Sequence, residues 1–138
     1  MIKMDNKTAL QRSENMKRIQ SKDSIAELTV RRVIHRMGYR FRLHSNRMPG
    51  RPDIVLPRHN KIVFVNGCFW HQHRGCLDGH LPKSNQDYWK PKLNKNVSRD
   101  RKNYSELKKQ GWRILVVWAC EIGNLRKLRK KICRFLED

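Results

Sequence analysis

The densest concentration of metal-capable side chains in this sequence is Asn66-Gly67-Cys68-Phe69-Trp70-His71-Gln72-His73-Arg74-Gly75-Cys76. Cys68, His73 and Cys76 are separated by four and two residues, and a further thiol, Cys120, follows an apolar β-type run. Three thiolates and one imidazole make a closed tetrahedral Zn²⁺ site with no coordination position left for a substrate. Such a site would be structural, tying the long irregular loop from Cys68 to Gln86 to the rest of the fold, because metal binding of this kind is coupled to folding. The competing reading is a buried core thiol at Cys120, with Cys68 and Cys76 unconnected. Cys133 has no partner in the pattern.

Only 12 Asp and Glu stand against 32 Lys and Arg, so an acid near a strand end or on an apolar helix face needs a reason to be there. Asp53 follows Gly50-Arg51-Pro52 and opens a strand. Rigid backbone there could aim its carboxylate at a hard cation such as Mg²⁺ held against a phosphate; an ordinary turn acid is the alternative. Glu27 shares a helix face with Val30 and Ile34 and could point inward, while Ser24-Ile25-Ala26-Glu27 also fits a capping box. Asp100 falls on the face of Leu93, Val97, Tyr104 and Leu107, where an unpaired charge is costly, so it is expected to accept hydrogen bonds or pair with a base. His71 lies between the proposed zinc ligands, and a neutral imidazole there could take a proton from a water attacking a phosphodiester. Phe69, Trp70 and Trp89 fall in loop or helix-start segments, where aromatic rings can stack on bases or wedge between them; core packing is the competing role.

The elements that must position these groups follow from periodicity and punctuation. Ser13 to Gln20 reads as a short helix, and Ser24 to Met37 as a longer one with Ile25, Leu28, Val33, Ile34 and Met37 as its apolar set, stopped by Gly38. Asp53 to Leu56 and Lys61 to Asn66 are β-branched runs flanking Pro57-Arg58-His59-Asn60, a hairpin pattern. Tyr88 to Gln110 reads as a helix ended by Gly111, followed by a buried-type strand, Ile114 to Trp118. A last helix carries Leu125, Leu128, Ile132 and Phe135. This order predicts an α/β fold, a central mixed sheet with helices on its faces.

A chain of 138 residues with 38% hydrophobic residues supports one modest core, so residues 13–138 are expected to form a single domain behind a flexible basic tail, residues 1–12. A formal net charge of +20 calls for a polyanion partner, nucleic acid first among them, although a ribosomal or membrane-surface protein carries similar charge. No apolar run is long enough to span a bilayer. The first residues, Met-Ile-Lys-Met-Asp-Asn-Lys-Thr, lack the apolar core of a secretory signal, which leads to the expectation of a cytoplasmic protein with reduced thiols.

Taken together, Gly50-Arg51-Pro52-Asp53, Phe64-Val65-Asn66-Gly67-Cys68-Phe69-Trp70-His71, Lys95-Asn96-Val97-Ser98-Arg99-Asp100-Arg101, Gly111-Trp112-Arg113 and Val117-Trp118-Ala119-Cys120 resemble the very-short-patch repair (Vsr) endonucleases. The resemblance runs in order from about Ser13 to Cys120. It implies a restriction-endonuclease-like fold and a Mg²⁺-dependent, strand-specific nick 5′ to the thymine of a T·G mismatch, the product of 5-methylcytosine deamination. It further implies that Asp53 and the Val65 backbone carbonyl hold Mg²⁺, that His71 is the general base, and that Glu27 supports the metal-water network. Cys68, His73, Cys76 and Cys120 match the family's structural zinc ligands, and Phe69, Trp70 and Trp89 its base-stack wedge. Val65-Asn66 departs from the Thr-His of the family's best-known member, so Asn66 replaces an imidazole in the catalytic set; Gly75 is an extra residue before Cys76. The partners implied are double-stranded DNA with a T·G mismatch, a cognate DNA cytosine methyltransferase and mismatch-repair proteins, with the enzyme a monomer in the bacterial nucleoid. Two other classes fit the residues less completely: a nuclease of the same fold acting on another DNA substrate, and a non-catalytic zinc DNA-binding protein that would need neither Asp53 nor His71.

Overall fold

The computed structural model describes residues 24–76, 79 and 81–138. The tail 1–12 and the helix expected over Ser13 to Gln20 lie outside the described residues. Strands β1 (Arg42–Leu43), β2 (Ile54–Leu56), β3 (Lys61–Asn66) and β4 (Arg113–Trp118) form one sheet in the order β1-β2-β3-β4. The first three strands are antiparallel and β4 runs parallel to β3, which makes the sheet mixed as expected. Helix α1 covers residues 24–36 of the described chain, α2 is Gln86–Lys109 and α3 is Leu125–Glu137.

The side chains of β3 alternate between two cores, the period-2 behaviour of a strand buried on both faces. Val63 joins Val30, Val33 and Ile34 of α1 and Leu128, Ile132 and Leu136 of α3. Ile62 and Phe64 face the other way, onto Leu107 and Tyr104 of α2. Burial of each Leu or Ile contributes about 1.5–3 kcal/mol, and these residues are at or near zero exposure. Both layers are therefore anchored on β3, the strand that delivers the ligand-rich loop. At its other end Lys61 is buried, with its ammonium donating to the carbonyls of Leu136 (2.8 Å) and Asp138 (3.0 Å), cations favoured at a helix C-terminus.

The hairpin expected between residues 53 and 66 is present, with Asn60 in the left-handed conformation at its turn. Gly38 (φ 88°) and Gly111 (φ 94°) follow α1 and α2 as the stop signals required. Four details differ. Ile25 and Leu28 are 52% and 46% exposed, and the buried stripe of α1 is Ala26, Val30, Val33 and Ile34. In α3 Leu125 is exposed and Leu136 takes the buried place, with Phe135 packed at the margin. Helix α2 begins at Gln86, two residues early, so Pro91 falls inside it. Strand β4 is an edge of this sheet in which only Val117 is buried, because it has a strand neighbour on one side alone.

Candidate active site and metal cluster

The turn before β2 aims the first functional group. Gly50 has φ 76°, and a Cβ there would lie 3.2 Å from Asn103 and from the Phe64 ring, so the turn is both left-handed and crowded. Arg51 follows with φ 47°, and Pro52 is fully buried. This rigid run delivers Asp53 to the end of β3, where Asp53 Oδ2 accepts a 2.7 Å hydrogen bond from the Val65 N–H. Burial first, and then the neighbouring Glu27, raise the Asp53 carboxyl from 3.8 to about 6, against the lowering effects of that bond and of His44.

Glu27 reaches this group from the first turns of α1. Its carboxylate is engaged by Arg31 (2.7 Å) and by His44 Nε2 (2.7 Å) and lies beside Asp53, in line with the inward reading of Glu27. Burial works to raise its pKa, but the hydrogen bonds from His44 and Asp53 and the charges of Arg31 and His44 prevail and hold it below the usual range. Ligand atoms of Glu27, His44 and Asp53 all lie within 4.8 Å of one another, a donor set able to hold a cation. His44 was not singled out from the sequence. It lies one residue past β1, a two-residue strand too short to show periodicity, and a lone histidine in Arg-Leu-His-Ser gives no signal.

Beyond β3 the chain turns tightly through residues 67–73, with His71 N–H donating to the Gly67 carbonyl and His73 N–H to that of Cys68. His71 Nδ1 lies 2.6 Å from Asp100 Oδ2 on α2, the pairing with a base that the position of Asp100 required. In the tautomer that donates from Nδ1 to this carboxylate, Nε2 is left as the acceptor. Asn66 is buried on the α2 face of β3, its amide donating to the Tyr104 hydroxyl at 2.8 Å. Burial pushes Tyr104 up to about 12, and both Asp100 and Asp53 add to the shift, so Tyr104 lies within the electrostatic reach of both carboxylates. Among the described residues the Asn66 side chain therefore meets the site through Tyr104, with no direct bond to Asp53 or His71.

Cys68, His73, Cys76 and Cys120 converge as expected, all four ligand atoms within 4.8 Å of one another. Cys68 and His73 come from the loop after β3, and Cys120 from the 3-10 turn, residues Ala119–Gly123, after β4, so the parallel pairing of β3 and β4 assembles the set. His73 stacks on Trp118 at 4.2 Å between ring centres and 7° between planes. Burial pushes the Cys68 thiol up to about 12, with Cys120 and Cys76 adjoining it, and burial lowers His73. Cys68 is buried, His73 and Cys76 are part-buried and Cys120 is exposed; three thiols and one imidazole this close together are a donor set suited to a soft divalent cation, whose binding would release the thiol protons. Cys133 lies outside the cluster, in agreement with its reading as a spectator.

Phe69, Trp70 and Trp89 form one half-buried aromatic group. Phe69 meets Trp70 (5.1 Å) and Trp89 (5.2 Å) edge to face, and Trp70 and Trp89 are 6.0 Å apart. None of the three belongs to either buried core. The Lys92 ammonium stands over Trp70 (5.6 Å), Trp89 (6.0 Å) and the exposed Tyr88 (5.4 Å), so the group is capped by a cation. Arg101, Lys108 and Lys109 line an open groove with Tyr104 and Ser105 on α2.

A carboxylate pair at a strand end, a carboxylate-paired histidine and an aromatic group with basic surroundings are groups that phosphodiester cleavage could use. The family described as DNA mismatch endonuclease Vsr matches residues 4–77, and the chain belongs to that family. It is 46% identical over 122 residues to the type II nicking enzyme V.XorIIP of Xanthomonas oryzae pv. oryzae, covering 88% of this chain and 89% of that one. It is 42% identical over 131 residues to the type II nicking enzyme V.NmeAIP of Neisseria meningitidis serogroup A, covering 95% and 93%. Over 117 residues it is 38% identical to the DNA mismatch endonuclease Vsr of Escherichia coli, covering 85% and 74%. The chain is thus a DNA endonuclease, a hydrolase, and the non-catalytic reading falls away. No helix among the described residues is long and apolar enough to cross a membrane.

Proposed function

We propose that this enzyme nicks one strand of duplex DNA 5′ to the thymine of a T·G mismatch, with Mg²⁺ at Asp53 and the Val65 carbonyl and with a structural Zn²⁺ on Cys68, His73, Cys76 and Cys120, in a restriction-endonuclease-like fold. The observation that carries this reading is the convergence at the end of β3 of the Asp53–Glu27 carboxyl pair, the His71–Asp100 pair and the Phe69-Trp70-Trp89 group. Two carboxyl groups and a backbone carbonyl are hard oxygen donors suited to Mg²⁺. Bound there, Mg²⁺ supplies charge stabilisation for the phosphorane-like transition state.

The chain's own residues do the rest. His71, held through Nδ1 by Asp100, takes the proton of the attacking water at Nε2, and the ionised Asp100 stabilises the imidazolium that forms. The bond from phosphorus to the departing strand's oxygen breaks as the water oxygen adds. Glu27 orients water at the cation, and Asn66 acts by positioning Tyr104 between Asp100 and Asp53. Phe69, Trp70 and Trp89 enter the stack at the weakly paired step, where unstacking costs least. A +20 chain supplies the phosphate contacts, and one site per chain cuts one strand.

The test is nicking of an end-labelled duplex carrying one T·G mismatch beside its T·A control, with Mg²⁺ or with EDTA, for wild type, Asp53→Ala and His71→Ala. Mg²⁺-dependent nicking confined to the thymine strand and lost in both variants is the expected result. Equal cutting of the paired control, or normal nicking by His71→Ala, would overturn the assignment.

A further inference from the structure

The least expected member of the carboxylate cluster is His44. Its backbone N–H donates to the Asp53 carbonyl (3.1 Å), continuing the β1-β2 ladder one step beyond Leu43, so His44 and Asp53 are cross-strand neighbours. Its φ of 47° lies in the left-handed region, uncommon for a residue with a side chain and found most often where surrounding structure requires it. That conformation brings the imidazole to Glu27 at 2.7 Å. The Arg31 guanidinium approaches the same ring nitrogen to 3.4 Å. The imidazole is half exposed, so it forms the open side of a cluster whose inner side is the part-buried Asp53.

Two donors at about 2.1 Å from a shared ion lie at most about 4.2 Å apart. The three ligand atoms all lie within 4.8 Å of one another, and His44 Nε2 and Glu27 Oε1 are 2.7 Å apart, so the set is close to that limit. A set of two carboxylates and one imidazole differs from the all-oxygen set that suits Mg²⁺, because imidazole nitrogen is a better donor to first-row transition cations. We infer that His44 is a third protein ligand of the catalytic cation, beside Asp53 and the Val65 carbonyl, and that its nitrogen raises the affinity of this centre for Mn²⁺ above that of an all-oxygen set while leaving Mg²⁺ binding little changed. The inference rests on the reading of Asp53 as a cation ligand.

The test is Mn²⁺ binding to the purified full-length protein without DNA, followed by electron paramagnetic resonance, with Mg²⁺ affinity measured by competition. Electron spin echo modulation reports whether a ¹⁴N nucleus is bound to the Mn²⁺. Wild type is expected to show one Mn²⁺ with nitrogen modulation. His44→Asn, whose residue tolerates a left-handed φ, is expected to lose the modulation and about tenfold in Mn²⁺ affinity, with Mg²⁺ affinity changed by less than about twofold. His44→Asp, an oxygen donor in the same place, is expected to restore cation binding with the preference moved toward Mg²⁺. Nitrogen modulation that is absent in wild type, or that persists in His44→Asn, overturns the assignment of His44. Asp53→Ala separates the two levels: Mn²⁺ binding unchanged in that variant overturns the cation site itself, whereas binding lost there but kept with nitrogen coupling in His44→Asn overturns only the role of His44.

Discussion

The contact between His71 and Asp100 gives the sharpest expectation for catalysis. Asp100→Asn keeps the shape of the side chain but removes the charge that faces Nδ1 at 2.6 Å. Under the proposed mechanism it should cost the orientation of the imidazole and the stabilisation of the imidazolium formed when the water proton is taken. A hydrogen bond to a charged group is worth about 1.5–3 kcal/mol. The two side chains are 30% and 21% exposed, so solvent screening favours the lower part of that range. About 1.5–2 kcal/mol lost in the transition state alone corresponds to a rate about 10- to 30-fold lower. The assay is single-turnover nicking of a T·G duplex at saturating enzyme, with duplex affinity measured separately. Affinity should stay within about twofold, since a bond that strengthens only as the proton moves leaves substrate binding alone. The double variant closes the argument: in a His71→Ala background, Asp100→Asn should change the rate little further, because the carboxylate acts through the imidazole. An undiminished rate in Asp100→Asn, or the full loss reproduced without His71, would refute the reasoning.

Further expectations follow from the same geometry. Asp53→Asn should stabilise the cation-free protein at pH 8 by up to about 3 kcal/mol, the free energy that separates 3.8 from about 6, read from denaturant unfolding. The sign follows from the raised pKa: the folded state binds the extra proton, so wild-type stability from this group falls as pH rises from about 4 to about 6, and the variant should lack that slope. Gly50→Ala adds a Cβ to a left-handed, crowded turn and should cost about 1–3 kcal/mol, with a lower Tm, and slow nicking by displacing Asp53. Metal analysis should find one zinc per chain, lost in Cys76→Ser together with stability and retained in Cys133→Ser. Trp70→Ala should reduce the preference for a T·G duplex over its paired control by about tenfold, about 1–3 kcal/mol of stacking, while leaving cation binding unchanged.

Much of this site was legible in the sequence because its residues sit in short runs fixed by local geometry. Gly50-Arg51-Pro52-Asp53 announces a rigid turn feeding a strand, and the structure shows why each place is restrictive: a left-handed glycine against Phe64, a buried proline, then the acid bound to Val65 N–H. The thiol and imidazole spacing announced the four-residue cluster, and a hydrophilic acid on an apolar helix face announced that Asp100 had a partner. What stayed hidden depends on contacts between elements. His44 is placed by the pairing of two-residue β1 with β2, which leaves no periodic trace. Ile25 and Leu28 fit the helical period but lie off the buried stripe, because the sheet selects Val30 and Ile34, and periodicity gives a face without saying which edge of it meets the core. The commitment of Asn66 to Tyr104 was likewise invisible, since strand alternation shows only that residues 62, 64 and 66 share a face.

The placement of acids in so basic a chain bears on how the enzyme binds its substrate. A +20 chain attracts duplex, yet in the proposed mechanism the site would offer Asp53 and Glu27 to the scissile phosphate, an anion facing anions. Without a cation, burial and the neighbouring Glu27 keep Asp53 partly protonated near pH 6, which softens that repulsion at slightly acidic pH and leaves it in force at pH 8. The cation should therefore strengthen duplex binding more at pH 8 than at pH 6, while Asp53→Asn should bind cation-free duplex more tightly than wild type at pH 8 and about equally at pH 5. Fluorescence anisotropy of labelled T·G duplex, in Ca²⁺ or EDTA at each pH, measures both differences. Cation-free affinity that is insensitive to Asp53→Asn at pH 8 would mean that the phosphate does not approach this carboxylate, and the position of the cut would have to be sought elsewhere on the surface.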